Sequence, residues 1–201
     1  MTGKQRRQQL LDVARSLFAE KGFEATAVEE IAQRAGVTKP VVYEHFGGKE
    51  GLYAVVVDRE VSNLLDRISQ GLESRHPLGK LEQAADAFLG YIEEEPEGFR
   101  VLVRDAPGGP GGTLRSIIAD VAAQVEYIFE DEFRDRGYDP KLAPLYSHAL
   151  VGMVELVGRW WLEAGKPSRQ VVAAHLVNLA WRGLGRLQPN PKHKGRARKP
   201  S

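Results

Sequence analysis

Cysteine is absent from the 201-residue chain. That excludes disulfides, thiolate metal sites, iron–sulfur clusters and cysteine nucleophiles, and nothing points to an oxidising compartment. No apolar run approaches the ~18 residues that a membrane-spanning helix needs. The opening stretch MTGKQRRQQLLDVARSLFAEKGF is basic and then amphipathic, interrupted by Asp12 and Glu20, unlike a signal peptide. A cytoplasmic protein with no membrane partner is expected. The chain also lacks HExxH, GxSxG, a Walker loop, and a GxGxxG that opens a helix after a strand. The segment GGPGG has neither a following lysine nor a preceding strand, so it reads as a connection rather than a phosphate cradle. The acids Glu93, Glu94, Glu95 and Glu97 suit a hard cation in principle, but contiguous acids at a helix end read first as a solvated face. No catalytic residue, metal or cofactor is expected, and the chain is not read as an enzyme. Neither sign of charge dominates: 28 Lys and Arg against 27 Asp and Glu leave a net charge of +1. Attraction to a polyanion therefore has to come from local placement.

What is present is helical periodicity. Hydrophobic residues make up 42% and charged residues 27% of the chain, the balance of a folded globular protein. Leu10, Leu11, Val13, Ala14, Leu17 and Phe18 recur at three- and four-residue spacing and predict an amphipathic helix from Lys4 to Lys21. Thr26, with Glu29 three residues on, has the form of a capping box opening a short helix that Gly36 stops. Further periodic runs predict helices over Lys49–Leu72, Leu81–Glu95, the PEGFRVLVRD stretch from Pro96, Thr113–Arg136, Leu142–Ala164 and Ser168–Leu187. Ala106–Gly112 is a flexible connection. No alternating strands or hairpin turns are found, so the fold class is all-α.

Between the second helix and Phe46 lies AGVTKPVVYEHF, which reads as a helix-turn-helix. Ala35 and Gly36 suit the turn, and Val37 plugs the space between the helices. With Thr38 as N-cap, Pro40 falls at the second helical position, and the cap has to bond Val41. Val42, Tyr43 and Phe46 are expected to point inward, leaving Lys39, Val41, Glu44 and His45 outward. A second helix with a free N-terminal face is the element that enters the major groove of DNA, though any αα-corner of a helical bundle shares the pattern.

The stretch LLDVARSLFAEKGFEATAVEEIAQRAGVTKPVVYEHFGGKEGLY, with AxxLFxxxGF, IAxxAGV and HFxxKExL in register from Ala14 to Leu52, resembles the DNA-binding domain of TetR-family transcriptional regulators. The resemblance covers about the first quarter of the chain. It implies that Thr26 and Thr38 cap helices and touch phosphate, that Lys39 and Val41 meet base edges, and that Tyr43, His45 and Lys49 grip the DNA backbone. Gly36, Val37, Phe46 and Leu52 are packing positions in both readings. Glu44 departs from the pattern: it either accepts from cytosine N4, or faces solvent or pairs with Lys49, and the second reading is favoured.

The resemblance divides the chain into a three-helix DNA-binding domain at 1–48, a helical ligand-binding and dimerisation domain at 49–188 that begins with a long connecting helix, and a basic tail at 189–201. The tail reads as a disordered, solvated terminus or, less favoured, as a non-specific nucleic-acid contact. The two C-terminal helices are more apolar than one buried face needs, and the resemblance pairs them with a symmetry mate in a homodimer on a palindromic double-stranded DNA operator. An unidentified small apolar or amphipathic effector is expected among Phe88, Tyr91, Phe99, Leu102, Val103, Tyr127 and Phe129, oriented by Arg100, Arg104 or His148. Its binding would shift the connecting helix and release DNA, and repression is the default output. The rival reading is a helical small-molecule-binding or protein-interaction module without sequence-specific DNA binding.

Overall fold

A computed structural model describes residues 2–70, 76–104 and 113–187. They form helices α1 (Gly3–Lys21), α2 (Val28–Arg34), α3 (Lys39–Phe46), α4 (Lys49–Gln70), α5 (Pro77–Glu94), α6 (Pro96–Val103), α7 (Thr113–Asp135), α8 (Ala143–Ala164) and α9 (Arg169–Leu184), with a 3₁₀ turn at Pro140–Leu142. No strand occurs among the described residues, and the all-α expectation holds. The glycine-rich connection expected at 106–112 and the tail at 189–201 lie outside the described residues.

Local chemistry accounts for the helix ends. Thr2 and Gln5 form a reciprocal capping box that starts α1 ahead of the expected Lys4. Pro77 opens α5 four residues before the expected Leu81, because proline at the first helical turn forfeits no intrahelical bond. Pro96 does the same for α6, and the alternating run is helical from Pro96 to Val103. The capping box expected at Thr26 does not form: Ala27 holds the N-cap position, and the Thr26 hydroxyl turns inward to donate to the Gly22 carbonyl at 2.7 Å.

Helices α1 to α4 close on a shared interior of Leu10, Ala14, Leu17, Ile31, Val42 and Leu52, all without exposed surface. Helix α4 then runs on to pack against α5 and α6, while α1 also lies against α6. The unit of α1 to α3 and the rest of the molecule are thus joined twice, through the continuous α4 and across the α1–α6 contact. In the remainder, α7 packs on α8 and α9 packs on α5. Arg169 fastens α9 to α5 by reaching Asp86 at 3.2 Å and Glu93 at 3.4 Å.

Candidate functional site

The turn between α2 and α3 is a Schellman motif. Gly36 adopts φ +63°, the Val37 amide bonds the Ala32 carbonyl at 2.9 Å, and the Gly36 amide bonds that of Gln33 at 3.1 Å. Ala35 is buried and Val37 packs on the core, so the turn sets a fixed angle between the two helices. Thr38 occupies the N-cap of α3 with extended backbone, and its side chain makes no capping bond. The expected bond to Val41 is made by the Thr38 carbonyl instead, at 3.1 Å. An exposed hydroxyl at the positive end of a helix is left facing outward.

Helix α3 buries Val42 completely and half-buries Phe46, so one residue of rotation decides the rest. Lys39, Pro40, Tyr43 and Glu44 face solvent, while Val41 and His45 are half-buried at the flank. Two expectations are corrected here. Tyr43 is 47% exposed rather than inward, and Val41 packs against the core rather than standing free. Lys39 ion-pairs with Glu29 of α2 and lies 5.8 Å from the centre of the Tyr43 ring. That contact holds the Glu29 carboxyl below its ordinary range and the Lys39 ammonium above its own, through their mutual hydrogen bond. Glu44 faces solvent, one of the two outcomes of the favoured reading, and Lys49 is engaged elsewhere. Lys49 instead donates to the Phe23 carbonyl at 3.0 Å and lies over the Phe23 ring. Thr26 is 1% exposed, so its side chain offers no surface to a phosphate, contrary to the expectation from its position. Arg7 was not singled out in the sequence. Its guanidinium sits 4.8 Å over the Phe46 ring, which brings the basic start of α1 beside the end of α3.

The expected effector site is not assembled in one place. An apolar cavity of about 140 Å³ does exist, walled by Leu64 and Ile68 of α4, Leu81, Ala85 and Phe88 of α5, Val121 and Val125 of α7, and Leu150, Val151 and Val154 of α8. Of the expected residues only Phe88 lines it. Tyr91 and Phe99 are wholly buried core residues stacked edge to face 6.5 Å apart. Leu102 is likewise buried, Val103 packs on the core, and Phe129 stacks on Phe133. Tyr127 is 69% exposed, and exposed His148 bonds the Pro144 carbonyl. Arg100 and Arg104 face a separate polar cleft with Ser16, Glu20, Arg34 and Glu97. Glu155, paired with Arg159, is the ionisable group in the cavity wall. The acid run at 93–97 is solvated at Glu93 and Glu94, which are exposed, and it is also paired: Glu94 and Glu95 bind Arg67, Glu95 binds Arg15, and Glu93 and Glu94 bind Arg169. Among the described residues no cluster suits a metal ion.

On the opposite side, α8 exposes Leu145, Leu156 and Trp160, and α9 exposes Val171 and Leu179. Trp161 turns the other way, buried, with its indole donating to the Pro167 carbonyl at 2.7 Å. No described helix is long and apolar enough to cross a membrane.

Residues 10–56 match the family model described as bacterial regulatory proteins, tetR family, and residues 77–183 match one described as a tetracyclin repressor-like C-terminal domain. The HTH-type transcriptional activator FasR of Mycolicibacterium smegmatis is 31% identical across 91% of this chain and 84% of its own length. The HTH-type transcriptional repressor KstR2 of Rhodococcus jostii is 38% identical over 80 residues, 38% of this chain and 39% of its own. A TetR-like transcriptional regulator from Rhodococcus sp. RHA1 superposes with a TM-score of 0.76 at 28% identity, covering 90% of this chain and 96% of that one.

Proposed function

The chain belongs to the tetR family of bacterial transcriptional regulators and is not an enzyme, and from that premise we propose that it represses transcription by binding a palindromic operator as a homodimer, from which a small apolar effector releases it. The observation that carries the proposal is the outward face of α3. It combines an open N-cap at Thr38, Lys39 held over Tyr43, and a rigid Schellman turn behind them. In this reading residues 1–48 are the DNA-binding domain and 49–188 the effector and dimer domain, with Lys39 at base edges and Thr38, Tyr43, His45 and Lys49 on phosphates. Val41 reaches bases only along its exposed edge. Lys49 has to leave the Phe23 carbonyl to serve. The exposed apolar residues of α8 and α9 support self-association, because several large apolar side chains left in water on neighbouring elements favour burial against a partner. The apolar wall of the cavity supports an uncharged or weakly polar effector placed by shape. A dimer lying across an operator blocks polymerase without a second contact, which favours repression.

Selection of bound sequences from random duplex DNA tests this directly, followed by affinity against salt and transcription with and without the protein. Enrichment of a palindrome is expected, with Lys39→Ala lowering affinity about tenfold and flattening the salt slope by about one. Recovery of no sequence, or transcription that rises on binding, overturns the corresponding part.

A further inference from the structure

Away from the α3 surface and the cavity, three polar side chains meet in the interior where α1, α4, α5 and α6 converge. Glu60 on α4 is 2% exposed, and a carboxylate so far from water is retained only when it is paired. It accepts from the Tyr91 hydroxyl at 2.8 Å, and its other oxygen lies 3.1 Å from Arg15 Nε. Arg15 reaches on to Glu95 at 2.5 Å, and the next residue, Ser16, donates to Glu97 at 2.9 Å. Burial first, then the field of Glu60, raises the Tyr91 phenol far above its ordinary range, so Tyr91 stays a donor.

Helix α6 leaves room for this cluster with a glycine. A Cβ at Gly98 would stand 2.0 Å from Glu60 Oε2 and 2.7 Å from Tyr91 Oη. The helices that present the carboxylate and the phenol also wall the cavity: Leu64 lies one turn beyond Glu60, and Phe88 one turn before Tyr91. Arg15, in contrast, belongs to the unit that carries α3. Its Nε is buried next to Glu60 without a well-directed hydrogen bond, so the contact is held by charge rather than by geometry.

We propose that Arg15, Glu60 and Tyr91 form a latch that fixes the DNA-binding helices onto the cavity helices, and that parting Glu60 from Tyr91 lets α1 to α3 turn. The proposal rests on the regulatory reading above and assigns control of operator affinity to three positioning residues, the buried Glu60 and Tyr91 and the partly buried Arg15. A cavity occupant that spreads α4 from α5 acts on the latch within one helical turn.

The test compares full-length wild type with Tyr91→Phe, Glu60→Gln and Gly98→Ala, each checked for wild-type helical content. Amide hydrogen exchange is followed along the chain, and affinity is measured for the duplex enriched from random DNA. Tyr91→Phe removes a single oxygen and is the variant that must fold. Tyr91→Phe and Glu60→Gln are expected to speed exchange in α1 and α6 at least tenfold, to leave α8 and α9 within twofold, and to change operator affinity at least fivefold. Gly98→Ala is expected to do the same with all three latch side chains intact. Wild-type exchange in α1 and α6 of folded Tyr91→Phe and Glu60→Gln overturns the latch. Faster exchange with operator affinity within twofold of wild type overturns its regulatory role and leaves the DNA reading standing. A wild type that enriches no sequence sinks the DNA reading itself, while exchange still decides the latch.

Discussion

In the unit built from α1 to α3, Leu10, Leu17, Ile31 and Val42 have no exposed surface, and the residues left outside are polar or amphipathic. At the far end of the molecule α8 and α9 hold Leu145, Leu156, Trp160 and Leu179 more than half exposed. The same residue type, leucine on an amphipathic helix, is sealed in one region and displayed in the other. Seven- and eight-residue helices such as α2 and α3 cannot persist alone, so every apolar group they carry has to be used within the unit. The twenty-two residues of α8 have apolar surface to spare after packing on α7. The N-terminal unit leaves little apolar surface uncovered, and the C-terminal pair leaves much.

The sharpest way to break this contrast is to truncate one leucine of each kind. Leu17→Ala is expected to cost about 2–5 kcal/mol in urea unfolding, the range for opening a cavity in a packed core. Leu156→Ala, in protein diluted to monomer, should stay within about 0.5 kcal/mol of wild type. Equal costs would mean that the two regions do not differ as described.

A smaller effect is expected from Leu156→Glu combined with Leu179→Glu. Light scattering should report a folded monomer, and operator affinity should fall about a hundredfold, since each half-site is then held without the avidity of two. A mass that stays dimeric would remove the α8–α9 face from consideration.

The smallest test lies on the recognition surface. Glu29→Gln frees Lys39 from its ion pair and is expected to tighten operator binding about two- to threefold at low salt, with the gain fading as salt rises. Unchanged or weaker binding would show that Glu29 orients Lys39 rather than competing for it.

The helices were legible because period, proline and glycine are local signals: Gly36 and Pro96 act where they stand. Side-chain direction was less so. TAVE has the pattern of a capping box, yet moving the cap by one residue to Ala27 turns Thr26 inward, and the pattern carries no information about that shift. Tyr43 is apolar enough to pass for core, but once Val42 and Phe46 face inward, the helical rotation carries Tyr43 outside. The cavity was the least legible feature. Aromatic residues drew attention, whereas the cavity is walled largely by aliphatic side chains such as Leu64, Ile68 and Val121, whose spacing equals that of any packed face. The ion pairs of the acids at 93–97 were not legible because their partners, Arg15, Arg67 and Arg169, stand far away in sequence and arrive only through tertiary folding.

The two neighbouring tryptophans of α8 provide a built-in pair of optical reporters. Trp161 is packed away with its indole bonded to the Pro167 carbonyl, so its emission lies toward the blue and reddens only when the chain unfolds. Trp160, one residue back, faces water and emits toward the red until another surface covers it. Once Trp181 is replaced by phenylalanine, a single spectrum followed through dilution and then through denaturant separates any uncovering of Trp160 from melting of the chain without any added dye.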